Sequence, residues 1–142
     1  MNISASLVKS TSTQTTLMGD CIVWLIDDDP IQNRLNSKTI KKSLTRDCEI
    51  KTYIDSREAL RILETREEIP DLVFIDLNMP HVDGLTFIRQ IALTNVDIPF
   101  FILSSAVDQE ILDFSEEYEF VKKCIKKPLI KSDVAFLRSM PF

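Results

Sequence analysis

From Cys21 onward the chain alternates between short apolar runs and longer segments in which apolar residues return every three or four positions. The runs are CIVWLI (21–26), EIKTYI (49–54), DLVFI (71–75), PFFIL (99–103) and FVKKCI (120–125). The first, third and fourth are nearly continuous in Ile, Val, Leu and Phe, the pattern of strands covered on both faces, as in a parallel sheet. The second and fifth are interrupted by polar positions and are expected nearer an edge.

The intervening segments predict helices. Asp29-Pro30 offers a cap followed by proline at the first helical position, and Ile31, Leu35, Ile40 and Leu44 mark one face of that first helix. Ser56 is expected to cap a second helix, with Ala59, Leu60 and Leu63 inward. A third presents Leu85, Ile88, Ile91 and Ala92, a fourth Val107, Ile111 and Phe114, and a short fifth spans about Ser132 to Ser139. Strand and helix alternating five times predict a doubly wound parallel sheet with helices on both faces, whose ligands bind at the carboxyl ends of the strands.

One hundred and forty-two residues suit a single domain, with residues 1–20, rich in Ser and Thr, read as a flexible tail ahead of a domain at 21–142. A net charge of -5 argues against general affinity for nucleic acid or an anionic membrane. No run approaches a bilayer-spanning length, and the N-terminus lacks the apolar core of a signal peptide, so a cytoplasmic location is expected. Cys21, Cys48 and Cys124 are widely spaced, with no CxxC or Cys/His cluster, and are expected to be reduced thiols.

The strand ends carry the candidate chemistry: Asp27, Asp28 and Asp29 after the first, Asp76 after the third, Ser104 and Ser105 after the fourth, Lys127-Pro128 after the fifth. Carboxylates gathered at the end of a buried sheet repel one another unless a hard cation such as Mg2+ neutralises them, and Mg2+ favours oxygen ligands. Phosphoryl transfer to a carboxylate puts charge on three equatorial oxygens that need cationic and hydrogen-bonding partners. Mg2+, Lys127 and the Ser105 hydroxyl answer that need.

LIDDDP, VFIDLNMPHVDG, ILSSA and IKKPL, in this order over about residues 21–139, resemble the receiver domain of two-component response regulators. The resemblance implies a (βα)5 flavodoxin-like fold with strand order 2-1-3-4-5. It implies Asp76 as phosphoacceptor, Asp27, Asp28, Asp76 and the Asn78 backbone carbonyl as Mg2+ ligands, Ser105 as switch hydroxyl and Lys127 as partner of the phosphoryl group. Met79-Pro80 and Gly84 match the loop shaping the acceptor site, and Ala106 the small residue that leaves it open. Asp29 reads as a helix cap rather than a ligand. The implied phosphoryl donor is a sensor histidine kinase or a histidine phosphotransfer protein. The implied readout is a protein partner at the face of the fourth helix, fifth strand and fifth helix, on a monomer or weak homodimer.

Two departures stand out. The family's aromatic residue three positions before the lysine is Cys124 here, so either Phe120 or Tyr118 substitutes, or the rearrangement is smaller. Only fifteen residues follow Lys127, and the expected output is therefore a protein contact or onward relay rather than an attached effector. Competing readings are weaker. Phosphatases that form an aspartyl phosphate look for Asp where Asn78 stands. Gly19 and Gly84 alone cannot build a P-loop or GxGxxG turn. A pseudo-receiver binding module is the remaining alternative. His81 reads as a solvated loop residue, Trp24 as core, and the paired lysines other than Lys127 as solvated surface.

Overall fold

The computed structural model describes residues 21–140, and the expected tail at 1–20 lies outside the described residues. Five strands, β1 (Cys21–Ile26), β2 (Cys48–Tyr53), β3 (Leu72–Asp76), β4 (Phe100–Ser104) and β5 (Val121–Lys126), form one sheet. The sheet is parallel, in the order β2-β1-β3-β4-β5. Each strand falls within one residue of its apolar run, and the two polar-interrupted runs are the edges. Four α-helices, α1 (Pro30–Ser43), α2 (Ser56–Glu64), α3 (Gly84–Ala92) and α4 (Gln109–Glu116), cross between strands, and a 3-10 helix spans Lys131–Ser139.

Strict alternation along the central strands feeds two cores. Trp24, Ile26, Val73, Ile75, Phe100 and Ile102 face α2, α3 and α4. Val23, Leu25, Phe74, Phe101 and Leu103 face α1 and the 3-10 helix. Burial on both sides is why these strands are continuous in Ile, Val, Leu and Phe. Between Phe100 and Phe101 the β4–β5 register shifts, so one extra residue of β5 bulges before Cys124 pairs with Ile102.

Several local expectations need correction. On α1 the buried residues are Asn33, Asn36, Ile40 and Ser43, while Ile31 and Leu35 are exposed. The second helix is capped by Asp55, whose side chain accepts from the Arg57 N–H at 2.9 Å. Ser56 is buried instead, its hydroxyl donating to the Val82 carbonyl at 2.7 Å, which pins α2 to the loop after β3. Ala92 is exposed, and Val107 precedes α4 rather than belonging to it. The fifth helix is 3-10 rather than α. Asp29 does cap α1, accepting from the Ile31 N–H at 2.9 Å. Trp24 is fully buried, and its indole donates to Glu68 at 2.8 Å.

The cysteine expectation holds for Cys124 alone, which is free and half-buried. Cys21 and Cys48 form a disulfide. They are register partners on adjacent parallel strands, with Cα atoms 4.4 Å apart, a proximity that a separation of 27 residues does not reveal.

Candidate functional site

The carboxyl ends of β1, β3 and β5 meet beside the crossover where the strand order reverses. Asp27, just past β1, and Asp76, the last residue of β3, are 2% and 3% exposed, whereas Asp28 is exposed. One carboxylate oxygen from each of Asp27, Asp28 and Asp76 lies within 4.8 Å of the others. Lys127, delivered by the end of β5, reaches across: its Nζ lies 3.0 Å from Asp76 Oδ1 and 3.1 Å from Asp27 Oδ2. The Asp76 contact is a hydrogen bond. The buried Asp27 Oδ2 accepts no directed hydrogen bond from any described residue.

Burial pushes the Asp76 carboxyl above the ordinary range, the Lys127 hydrogen bond pulls it down, and the charge of Asp27 pushes it up again. The backbone N–H of Asn78 also donates to this carboxylate. For Lys127, burial lowers the affinity for its proton, but the hydrogen bond to Asp76 and the Asp27 carboxylate 3.1 Å away outweigh it and hold the ammonium above its ordinary value. A buried acid short of compensation beside a fixed cation is the electrostatic setting of a reactive carboxylate.

Two residues shape this rim without chemistry of their own. Asn33 on α1 donates through Nδ2 to the carbonyls of Asp27, at 2.9 Å, and Tyr53, at 3.3 Å, tying the β1 and β2 ends to the helix. The Asp29 N–H donates to Asp27 Oδ1 at 3.0 Å, fixing that carboxylate within its own turn. Asn33 was not legible as a site residue, and its only sequence signal is a polar pair, Asn33 and Asn36, at helical spacing beside Ile40. Gly84 is the second: a Cβ there would stand 2.7 Å from the Asp76 carbonyl oxygen and 2.9 Å from Leu77 Cα. The loop between them turns through His81, exposed and at φ 69°.

The hydroxyls after β4 are arranged differently from each other. Ser104 is buried, and its Oγ donates to the Ala106 carbonyl at 2.7 Å. Ser105 is exposed on the rim of a cavity of about 590 Å³ that it shares with Asn78, Met79 and Ala106. The structure thus gathers Asp27, Asp28, Asp76 and Lys127 at one point, with Asn78 against Asp76 and Ser105 across the adjoining cavity. Cys124 packs at the edge of the α2–α4 core, where Phe114, Tyr118, Phe120 and Phe100 form a chain of rings with centroids 5.0, 5.9 and 5.4 Å apart.

The donor set fits a small divalent cation. It is all oxygen and holds two buried carboxylates and one exposed carboxylate, and the Asp27 Oδ2 atom, 3.1 Å from the Lys127 ammonium, accepts no directed hydrogen bond among the described residues.

A parallel α/β sheet thus brings three carboxylates and a lysine together at its topological switch point, where such folds bind their ligands. Residues 23–135 match the family described as the response regulator receiver domain, and the chain belongs to that family. It is 31% identical over 104 residues to the probable C4-dicarboxylate response regulator DctR of Halalkalibacterium halodurans, covering 73% of this chain and 44% of that one. It is 35% identical over 82 residues to the two-component response regulator ARR11 of Arabidopsis thaliana, covering 58% of this chain and 15% of that one. The chain therefore spans less than half the length of these curated relatives. Among solved structures, a two-component response regulator from Cytophaga hutchinsonii superposes with TM-score 0.71 at 29% identity, covering 83% of this chain and 92% of that one. The Vibrio cholerae chemotaxis protein CheY4 shares the fold, with TM-score 0.68 at 21% identity and coverage of 80% and 92%. Receiver domains of this family bind Mg2+ at an acidic pocket and interact with histidine kinases and downstream partners. No helix among the described residues is long and apolar enough to cross a membrane.

Proposed function

We propose that Asp76 is the phosphoacceptor of a phosphorylation-controlled signalling switch. The observation that carries this reading is the Lys127 ammonium held between the Asp76 and Asp27 carboxylates, at 3.0 and 3.1 Å, on a rim where three carboxylates converge. Asp27, Asp28, Asp76 and the Asn78 backbone carbonyl would hold Mg2+, which when bound supplies charge neutralisation for the phosphoryl oxygens.

An Asp76 carboxylate oxygen attacks the phosphorus of a phosphohistidine on a histidine kinase or phosphotransfer protein. The new O–P bond replaces the P–N bond, and the imidazole leaves with its electron pair and takes up a proton. Lys127 then exchanges its carboxylate partner for a phosphoryl oxygen, and the Ser105 hydroxyl, across the cavity from Asn78, donates to another. Closing Ser105 onto the phosphoryl group would drag the β4–α4 turn and bias the α4–β5–3-10 face toward its partner-binding packing. With Cys124 unable to swing as a ring does, the Phe114–Tyr118–Phe120 chain would transmit the change. In this reading residues 21–142 are a receiver that acts by protein contact or relay, not as a turnover enzyme, on a monomer or weak homodimer. The same reading places it in the cytoplasm, where the Cys21–Cys48 pair would meet a reducing thiol pool.

Intact mass spectrometry after incubation with acetyl phosphate tests it. One phosphoryl group is expected on the wild type with Mg2+, and none on Asp76→Asn or without the metal. A wild type that acquires nothing from acetyl phosphate or phosphoramidate would leave the domain a constitutive binding module.

A further inference from the structure

Helix α4 carries a charge pattern that phosphoryl chemistry leaves unused. Between Asp108 and Glu119 the chain has six carboxylates and no lysine or arginine. None of the six forms an ion pair among the described residues. Glu110, Asp113 and Glu117 succeed one another at spacings of three and four, so they stand in one row, where like charges disfavour the helix. The last turn of α4 has no basic residue to offset the helix dipole there. Glu110 in the first turn suits the helix dipole and Asp113 accepts from Gln109 Nε2 at 2.8 Å, but Glu117 at the C-terminal cap has no such support, so the row as a whole is not accounted for by the helix alone.

Beside the row runs a groove of about 550 Å³ between α3 and α4. Leu85, Ile111 and Phe114 give it an apolar floor, and Arg89 of α3 lays its guanidinium 5.1 Å from the centre of the Phe114 ring. That stacked arginine shows which chemistry the groove accepts, a cation lying on an aromatic face. Three acids against one arginine still leave the groove negative. It lies on the α3 side of α4, apart from the β5 side. It shares Leu85, Glu110 and Ile111 with the cavity beside Asn78 and Ser105.

We propose that the α3–α4 groove docks an amphipathic helix of a partner protein, its Lys/Arg side chains on the Glu110–Asp113–Glu117 row and its apolar side chains over Leu85 and Ile111. Helix-in-groove docking needs this pairing of an apolar floor with a charged rim. The site stands on the groove itself and does not depend on Asp76 being phosphorylated.

The probe is a fluorescein-labelled synthetic helix of about 14 residues built from Leu and Lys, its binding followed by fluorescence anisotropy at low and high salt. Two double reversals carry the same change in net charge: Glu110→Lys with Glu117→Lys in the groove, and Glu64→Lys with Asp97→Lys on exposed surface elsewhere. Circular dichroism verifies that both fold. The groove pair is expected to weaken binding by about tenfold and the distant pair by less than about twofold. Ile111→Asn, which keeps every charge, is expected to weaken it as well. Equal losses for the two reversals would mean that the peptide reads net charge alone, and would overturn the proposal, as would a wild type that does not bind. A dimer in solution that only the groove pair dissociates would make the occupant a second copy of this chain, and would overturn it too.

Discussion

Helices α1 and α3 lie on opposite faces of the same central strands and press different chemistry onto them. Helix α3 buries Phe87, Ile88 and Ile91, an apolar stripe that follows the helical period. Helix α1 buries Asn33, Asn36 and Ser43 around a single large apolar side chain, Ile40, and turns Ile31 and Leu35 out to solvent. The difference comes from where each helix starts. Helix α3 begins against the Asp76 backbone, where contact must be close and featureless. Helix α1 begins at the acidic turn, where the Asp27 carbonyl needs a donor and the Tyr53 carbonyl, which already takes the Asp27 N–H at 3.0 Å, accepts a second one. Polar burial is thus concentrated where the fold holds a charged turn in place, and apolar burial where it only has to fill space.

Substitutions can break this contrast. The largest effect is expected at the start of α3: in Gly84→Ala the added Cβ meets backbone atoms at 2.7 and 2.9 Å, and the turn must move. A loss of about 3 kcal/mol in urea unfolding is expected, together with slower phosphoryl uptake because Asp76 moves with the turn. A neutral Gly84→Ala would mean that the close approach does not constrain the acceptor.

Asn33→Ala on α1 should cost about 2 kcal/mol, since the buried Asp27 carbonyl loses its donor and the Tyr53 carbonyl is left with the Asp27 N–H alone. The same variant should weaken Mg2+ binding, read from Trp24 fluorescence, because the Asp27 turn is no longer pinned.

Asp76→Asn is expected to have a smaller effect, of the opposite sign. Burial and Asp27 raise the Asp76 pKa above its unfolded value despite Lys127, so the fold favours the protonated carboxyl. Stability is therefore lost as pH climbs from the unfolded value through the raised folded one, and stays lower above it. The amide escapes that loss, and the variant should melt a few degrees higher at neutral pH. The gap should close on acidification to about pH 3.5, below the unfolded pKa.

Asn36→Leu should change least, within about 0.5 kcal/mol or slightly stabilising, because the buried Nδ2 of Asn36 has no hydrogen-bond partner among the described residues. Together with Asn33→Ala it separates polar burial that positions the site from polar burial that does not.

The strands were legible because burial on two faces leaves little freedom in composition, and β1, β3 and β4 read directly as apolar runs. The strand ends followed from topology, and with them Asp27, Asp76 and Lys127 as candidates. The inward face of α1 was not legible. Ile31 and Leu35 carry the helical period, but hydrogen bonding to the acidic turn outranks their hydrophobicity, and only the tertiary arrangement reveals that the turn needs donors. The capping role expected of Ser56 failed for a similar reason: Asp55 is an equal capping type one position earlier, which frees Ser56 to bond the loop at Val82. The Cys21–Cys48 bond depends on strand register, which spacing along the chain does not encode.

The most direct test of the central claim is to locate the phosphoryl group. After reaction with acetyl phosphate and Mg2+, borohydride reduction converts an acyl phosphate at aspartate to homoserine, which tandem mass spectrometry of the proteolysed chain assigns to a position. The account predicts homoserine at 76 alone, absent from the sample without Mg2+. Homoserine at 27 or 28 instead, or a modification that borohydride leaves untouched, would contradict Asp76 as the acceptor.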